Sequence, residues 1–196
     1  MTESLGPDPL SVFEAWYAEA IERAVPSADA MTLATATLDG RPTARTVLYK
    51  GLSDSGVCFV SNYTSRKGRE LEQNPRAALV FFWAALNRQV RFEGRAERTP
   101  TDWSDRYFAG RARDSQIGAW ASAQSQVIAS RDVLEARITE TEARFQGVPV
   151  ERPPFWGGYR LMPERIEFWL GQDARLHDRF SYSKSDAGWD CARLSP

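Results

Sequence analysis

The stretch MTLATATLDGRPTARTVLYKGLSDSGVCFVSN, residues 31–62, decides how the chain folds. It holds three strand-like runs broken at DGR and at SDSG, and both breaks are hairpin signals. Upstream, DPLSVFEAWYAEAIERAV places apolar residues at helical spacing behind Pro9, which predicts an amphipathic helix. Downstream, SRKGRELEQNP reads as a short helix stopped by Asn74-Pro75, and RAALVFFWAALNRQVRFEGRAERT as two more strands. Between Pro100 and about Gln146 the character turns helical, through TDWSDRYFAGR, DSQIGAWAS and SRDVLEARITETEARFQ. A proline-rich connector, VPVERPPFWGG, leads into a tail of strands with turns at GQD and SDAG. Repeats, low-complexity tracts and βαβ alternation are lacking. The pattern therefore predicts a mainly β, α+β fold: one antiparallel, Greek-key-like barrel over 1–196 with helices packed outside. Residues 1–8 are expected to be flexible, and 100–146 to form a helical insertion.

Composition narrows the function classes. A chain of 196 residues with 26% charged and 42% hydrophobic residues is an ordinary globular domain long enough to bury a core. A net charge of −1 supplies no bulk field toward nucleic acid or membrane. Apolar runs such as ALVFFWAAL are too short to span a bilayer, and MTESLGPDP lacks the apolar core of a signal peptide. Cys58 and Cys191 lack metal-ligand spacing, which points to a reduced, cytoplasmic setting with inert thiols. A single histidine argues against a metal centre, and no Gly-rich phosphate loop, GxSxG or CxxC occurs.

Several polar groups remain unexplained by folding alone. Of 25 Lys and Arg residues, only Lys50, Lys67 and Lys184 are lysines, so their placement carries information. In SNYTSRKGRE, Thr64 or Ser65 is a natural N-cap, which puts Arg66 and Lys67 into the first helical turn. Cations are disfavoured there by the helix dipole unless an anion binds at the same end. In RTVLYK the odd spacing of Arg45 and Lys50 sets them on opposite faces of a strand. Tyr107, Arg111 and Ser115 would form one stripe on a continuous helix, a donor set suited to phosphate, although Gly110 interrupts it. The segment ARLHDRF, residues 174–180, carries the lone histidine. If it is extended, Arg175, His177 and Arg179 share a face. Trp169 could cover a flat ring or fill the core, and Gln89, Gln124 and Ser125 are polar residues with no assigned partner. Together these groups could hold two phosphates and flat rings, without fixing which.

The ordered series RTVLYK, SRKGRELEQNPRAAL, FFWAALNRQVRFEGRAER, YFAGRARDSQIGAWAS-QS, FWGGYRL, IEFW-G, RLHDRF and RLSP resembles the pyridoxine/pyridoxamine 5′-phosphate oxidase family from about Pro9 onward. The resemblance implies a flavin split barrel, a homodimer with FMN at the subunit interface, and oxidation of phosphorylated B6 vitamers to pyridoxal 5′-phosphate. O2 would be the acceptor and H2O2 the product. It implies that Arg45, Thr46, Val47, Leu48, Tyr49, Lys50, Val60, Ser61, Arg66 and Lys67 hold FMN. Gln89, Gln124, Ser125, Trp169 and Arg179 would join them from the partner subunit. Lys50, Tyr107, Arg111 and Ser115 would take the substrate phosphate, and Arg175 and His177 would face the substrate ring as catalytic groups.

Three departures accompany the resemblance. Only MTESLGPD precedes the first helix, where the family often has an arm that closes over the substrate. Val60-Ser61 stands where Tyr-Thr is common, and Ala112 replaces a frequent proline. Two rival readings follow: a related split-barrel oxidase acting on a phenazine precursor, which would lack the substrate-phosphate set, and a non-catalytic carrier of pyridoxal phosphate or flavin.

Overall fold

The computed structural model describes residues 5–196. Helix α1 (Pro9–Glu22) starts at Asp8, whose carboxylate accepts from the backbone N–H of Leu10 and Ser11 at 3.1 and 3.2 Å. Proline in the first turn suits this start, because its missing N–H is not needed there. The helix turns Phe13, Trp16 and Ala20 into the core. The Phe13 ring lies 5.0 Å from Phe81 and Phe92, and Trp16 lies 5.0 Å from Phe168. Each such buried aromatic side chain contributes about 2–3 kcal/mol of hydrophobic burial. Of the segment expected to be flexible, residues 1–4 lie outside the described part. In the remainder, Tyr182 Oη accepts from the Leu5 N–H and donates to the Gly6 carbonyl.

Among the described residues nine strands form one antiparallel sheet. They are β1 (Ala30–Ala36), β2 (Pro42–Leu48), β3 (Leu52–Ser53), β4 (Gly56–Asn62), β5 (Arg76–Trp83), β6 (Arg88–Arg98), β7 (Trp156–Leu170), β8 (Asp178–Ser185) and β9 (Gly188–Leu194). The hydrogen-bonded order is β2-β1-β5-β6-β7-β4-β3, with β8 on β7 and β9 on β8. β7 has two neighbours on one edge in succession. Residues 156–161 pair with β4, and Arg165–Leu170 pair with β8. The hand-over falls at a bulge where Arg165 faces Glu93 but Pro163 faces Gly94. A side chain at Gly94 would place its Cβ 2.0 Å from the Met162 carbonyl, so the bend requires glycine there. At the other end of the order, β2 curls up to β4 without a ladder between them. The barrel is split along that seam.

The α+β antiparallel architecture expected from residues 31–62 is the one that forms. Helix α2 (Arg66–Gln73) follows β4, while α3 (Thr101–Ala109), α4 (Arg113–Ala121) and α5 (Arg131–Arg144) lie between β6 and β7. Phe108, Ile117, Phe145, Val150 and Trp156 form a second apolar cluster beneath these helices. Two sequence expectations need correction. Gly110 ends α3 and α4 restarts only at Arg113, so Tyr107, Arg111 and Ser115 share no continuous helix. Residues 174–180 are not one extended run, because Asp173–Arg175 makes a tight 3-10 turn with Ala174 at φ +54° and Arg175 at φ +62°. Cys58 is fully buried and its thiol is pushed up to about 11 by burial, whereas Cys191 is only half-buried on β9.

Candidate active site

A cleft of about 830 Å³ opens along the β2–β4 seam, within the range of small-molecule sites. Its β-sheet side is made by Arg45, Thr46, Val47 and Leu48 of β2, with Lys50 beyond the strand end and Val60 of β4. Arg66 and Lys67 enter from α2, Tyr107, Arg111 and Ser115 from the α3–α4 corner, and Gln124 and Ser125 from the loop after α4. Because β2 stops at Leu48, the strand alternation no longer governs Lys50, and it meets Arg45 in one cleft rather than on the opposite face. Two of the expected residues stand behind the wall. Tyr49 is buried in the core, its ring 5.4 Å from Phe13 and 4.9 Å from Tyr17. Ser61 is buried beneath the cleft.

The α2 end gathers cations and hydrogen-bond donors at a capped helix start. Ser65 caps the helix by accepting from the Gly68 N–H at 3.2 Å, and the first turn contains no acidic residue. A Cβ on Gly68 would come 2.1 Å from the Tyr63 carbonyl, so glycine lets this turn press against the end of β4. Lys67 Nζ donates to Gln124 Oε1 at 2.8 Å and to Ser61 Oγ at 3.1 Å, both neutral. Burial, helped by the nearby Arg45 charge and only partly opposed by Glu70, brings the Lys67 ammonium down to about 8. An anion at this end would reverse that trend. Gln124 and Ser125 reach this cluster from the same chain, a correction to their expected origin in a partner. The turn at Ser125 (φ +70°) folds the loop back over β4.

The α3–α4 corner makes a second cationic point. The Arg111 N–H and Gln116 Nε2 both donate to the Phe108 carbonyl, at 3.1 and 2.9 Å, and these bonds lock the turn that replaces the continuous helix. The Arg111 guanidinium stacks 4.6 Å from the Trp156 ring, and its buried Nη1 has no hydrogen-bond partner among the described residues. Burial lowers the Arg111 pKa. An orphaned guanidinium N–H is costly unless a ligand accepts from it. Tyr107 beside it stacks on Trp103 at 5.4 Å with an interplanar angle of 4°. The donor set Lys50, Tyr107, Arg111 and Ser115 thus converges without a helical stripe.

The remaining expected residues sit elsewhere. Gln89, Trp169 and Arg179 form a row across β6, β7 and β8, in direct register. The His177 ring lies 4.6 Å from Trp169, and its Nδ1 accepts from the Gln172 N–H at 3.1 Å. Arg175 stands in the exposed turn just before it. Gly158, opposite Val60 on β4, and Trp169 are on the same strand but separated by roughly 36 Å of chain at about 3.3 Å per residue. One chain therefore brings together the cleft residues and, separately, the Trp169 row.

Two buried carboxylates escaped the sequence reading. Glu70 Oε2 accepts from Thr35 (2.6 Å), Thr43 (2.7 Å) and Arg45 (3.2 Å), and Oε1 accepts from Arg66 Nε (2.9 Å). Burial alone would raise the Glu70 pKa, but these hydrogen bonds and the Arg45 charge outweigh it and bring the carboxyl to about 2. Glu167 accepts from Arg91 at 2.7 Å and Arg179 Nε at 2.9 Å. The i,i+4 spacing of Arg66 and Glu70 was a visible signal, as was one charge inside the apolar run IEFW.

Comparison with known proteins gives a consistent result. Residues 17–145 match the family model for pyridoxamine 5′-phosphate oxidase, and residues 156–196 match that for the pyridoxine 5′-phosphate oxidase C-terminal dimerisation region. A Rubrobacter xylanophilus protein named pyridoxine/pyridoxamine 5′-phosphate oxidase is 56% identical, covering 97% of this chain and 88% of its own. A Burkholderia vietnamiensis protein of the same name is 54% identical, covering 97% and 90%. Among solved structures, PhzG from Burkholderia lata in complex with tetrahydrophenazine-1-carboxylic acid superposes with a TM-score of 0.93 at 34% identity, covering 98% of this chain and 95% of its own. An FMN-binding protein from Nostoc punctiforme, at 18% identity and a TM-score of 0.75, shares the fold.

Proposed function

Given that the chain belongs to the pyridoxamine 5′-phosphate oxidase family, we propose that it oxidises pyridoxamine and pyridoxine 5′-phosphate to pyridoxal 5′-phosphate as a homodimer with two FMN sites. The observation that carries this reading is the cleft with two separate cationic points, one at α2 and one at the α3–α4 corner. Two such points suit one phosphate on a flavin and another on a substrate. The donor chemistry fits both, since among the described residues Lys67 has only neutral hydrogen-bond acceptors and Arg111 Nη1 has none.

When bound, FMN would supply the redox chemistry as hydride acceptor for the substrate's C4′ carbon, with O2 as final oxidant and H2O2 as product; the amine substrate would in addition take up water and release ammonia. Arg66 and Lys67 would hold its phosphate, with the β2 segment from Arg45 to Leu48 along the side of the cleft. Lys50, Tyr107, Arg111 and Ser115 would hold the substrate phosphate, which fixes the reacting carbon relative to the ring system. Gln89, Trp169 and Arg179 would come from the partner subunit, whose Arg175 and His177 would cover the substrate ring. With Nδ1 accepting from the Gln172 N–H, His177 carries its proton on Nε2 and would donate from there to the substrate. The match of residues 156–196 to a dimerisation region supports this division of labour.

The structural likeness to PhzG favours a second reading, an oxidase acting on a phenazine precursor. Retention of the four phosphate donors in the cleft weighs against it. Oxygen uptake by FMN-loaded protein decides between the two. Turnover of the phosphorylated vitamers is expected. Turnover of a phenazine precursor alone would favour the second reading, and oxidation of neither would leave a carrier. Arg175→Ala and His177→Ala should keep flavin absorbance but lose turnover by about 30- to 1000-fold, whereas Arg179→Ala should loosen the flavin. The reverse pattern would overturn the assignment of this face.

A further inference from the structure

We infer that Glu70 is the positioning residue of the flavin-phosphate end of the cleft, a buried carboxylate that anchors Arg45 and aims Arg66 at the ligand. The inference rests on the proposed FMN reading and extends it to a residue that touches no ligand. Glu70 is 5% exposed, yet both of its oxygens are engaged by groups from three elements: Thr35 of β1, Thr43 and Arg45 of β2, and Arg66 of α2. The two threonines are relays as well as direct donors. Arg45 donates to Thr35 Oγ1 at 2.6 Å and to Thr43 Oγ1 at 2.5 Å, while both hydroxyls also approach Glu70. The Leu33 carbonyl also accepts from Arg45 Nη1 at 3.3 Å, so both Nη groups of Arg45 are engaged and only its Nε is left to face the cleft. Glu70 grips Arg66 through Nε, so the two Nη groups stay free of this bond.

The seam makes this arrangement necessary. β2 is the end strand of the sheet order, paired to β1 alone. Nothing in the sheet fixes its distance from α2, whose first turn carries Arg66 and Lys67. Glu70 closes that gap. Without it, two guanidiniums and an ammonium crowd one end of the cleft, and mutual repulsion drives the flexible side chains apart.

A carboxylate beside a phosphate site could also act by charge alone, and the two roles predict opposite signs. If Glu70 merely offset positive charge, Glu70→Gln would strengthen phosphate binding. If it positions the arginines, the same change weakens it. A purely structural staple would affect every ligand of the cleft alike.

The test is a fluorescence titration of wild type and Glu70→Gln apoprotein with FMN and with riboflavin, which lacks the phosphate. The expected result is a roughly 10- to 100-fold loss of FMN affinity with riboflavin affinity unchanged. Tighter FMN binding, an unchanged affinity, or equal losses for both ligands would overturn the inference. If Glu70→Gln does not fold, Thr35→Val decides by the same ratio, because it removes one relay without altering the cleft lining. Wild-type protein that binds neither flavin would sink the FMN reading itself, a distinct outcome seen before any variant is compared.

Discussion

Single residues show which charges the fold holds in reserve. Lys67 is brought down to about 8, chiefly by burial and then by Arg45, with Glu70 opposing. The charged form binds phosphate, so FMN affinity should fall as pH rises through about 8. Lys67→Gln should bind more weakly and lose this dependence; flavin titrations across pH would show it. Glu70 has the opposite sign. Its folded carboxyl near 2 lies below the ordinary 4.5, so it contributes stability above about 4.5 that is lost as pH falls toward 2. Denaturant midpoints measured down that window should fall less in Glu70→Gln than in wild type. Arg111 sets stability against function. Replacing a partly orphaned buried guanidinium by Met should leave the melting temperature unchanged or higher, while kcat/KM for pyridoxine 5′-phosphate drops by about 100-fold. Of these three, only Arg111 and Lys67 were legible as binding candidates. Glu70 was hidden because its role depends on Thr35 and Thr43, which are remote in sequence and meet it only after β1 and β2 pair.

At the scale of elements, punctuation explains what could be read. α1, α2 and the strands of residues 31–62 announce themselves through Asp8-Pro9, Ser65, Asp39-Gly40 and Asn74-Pro75, each with a local physical cause. The turn at Asp173–Arg175 carries no such mark, since Ala174 and Arg175 adopt positive φ although neither residue favours it. The meeting of Tyr107, Arg111 and Ser115 was anticipated for the wrong reason. A helical stripe was expected, but a corner locked by Gln116 delivers them instead. The capping of α2 offers a direct measurement. Ser65→Ala should cost about 1 kcal/mol in chemical denaturation, and because Arg66 and Lys67 follow immediately, FMN retention should weaken with it. An unchanged flavin affinity would detach the helix start from the binding site.

For the whole molecule, the decisive fact is that β7 separates the cleft wall at Gly158 from the row at Trp169. Sequence alone gave no measure of that distance, because alternation along a strand says nothing about which copy of the chain a residue serves. If each complete site draws on two subunits, two defective variants can repair one another. Arg66→Ala and Arg179→Ala protomers, unfolded and refolded together, should recover about a quarter of wild-type activity, since random pairing gives half heterodimers with one intact site each. No recovery above the separate variants would place both residues in one chain's site. If the site is shared in this way, the same separation would make the vitamin cofactor an assembly signal. On that reading a lone protomer would lack the partner's Gln89, Trp169 and Arg179, so dilution should release flavin, and flavin starvation should loosen the dimer by mass action. A cell that ran short of riboflavin would then lose the pair and the catalyst together.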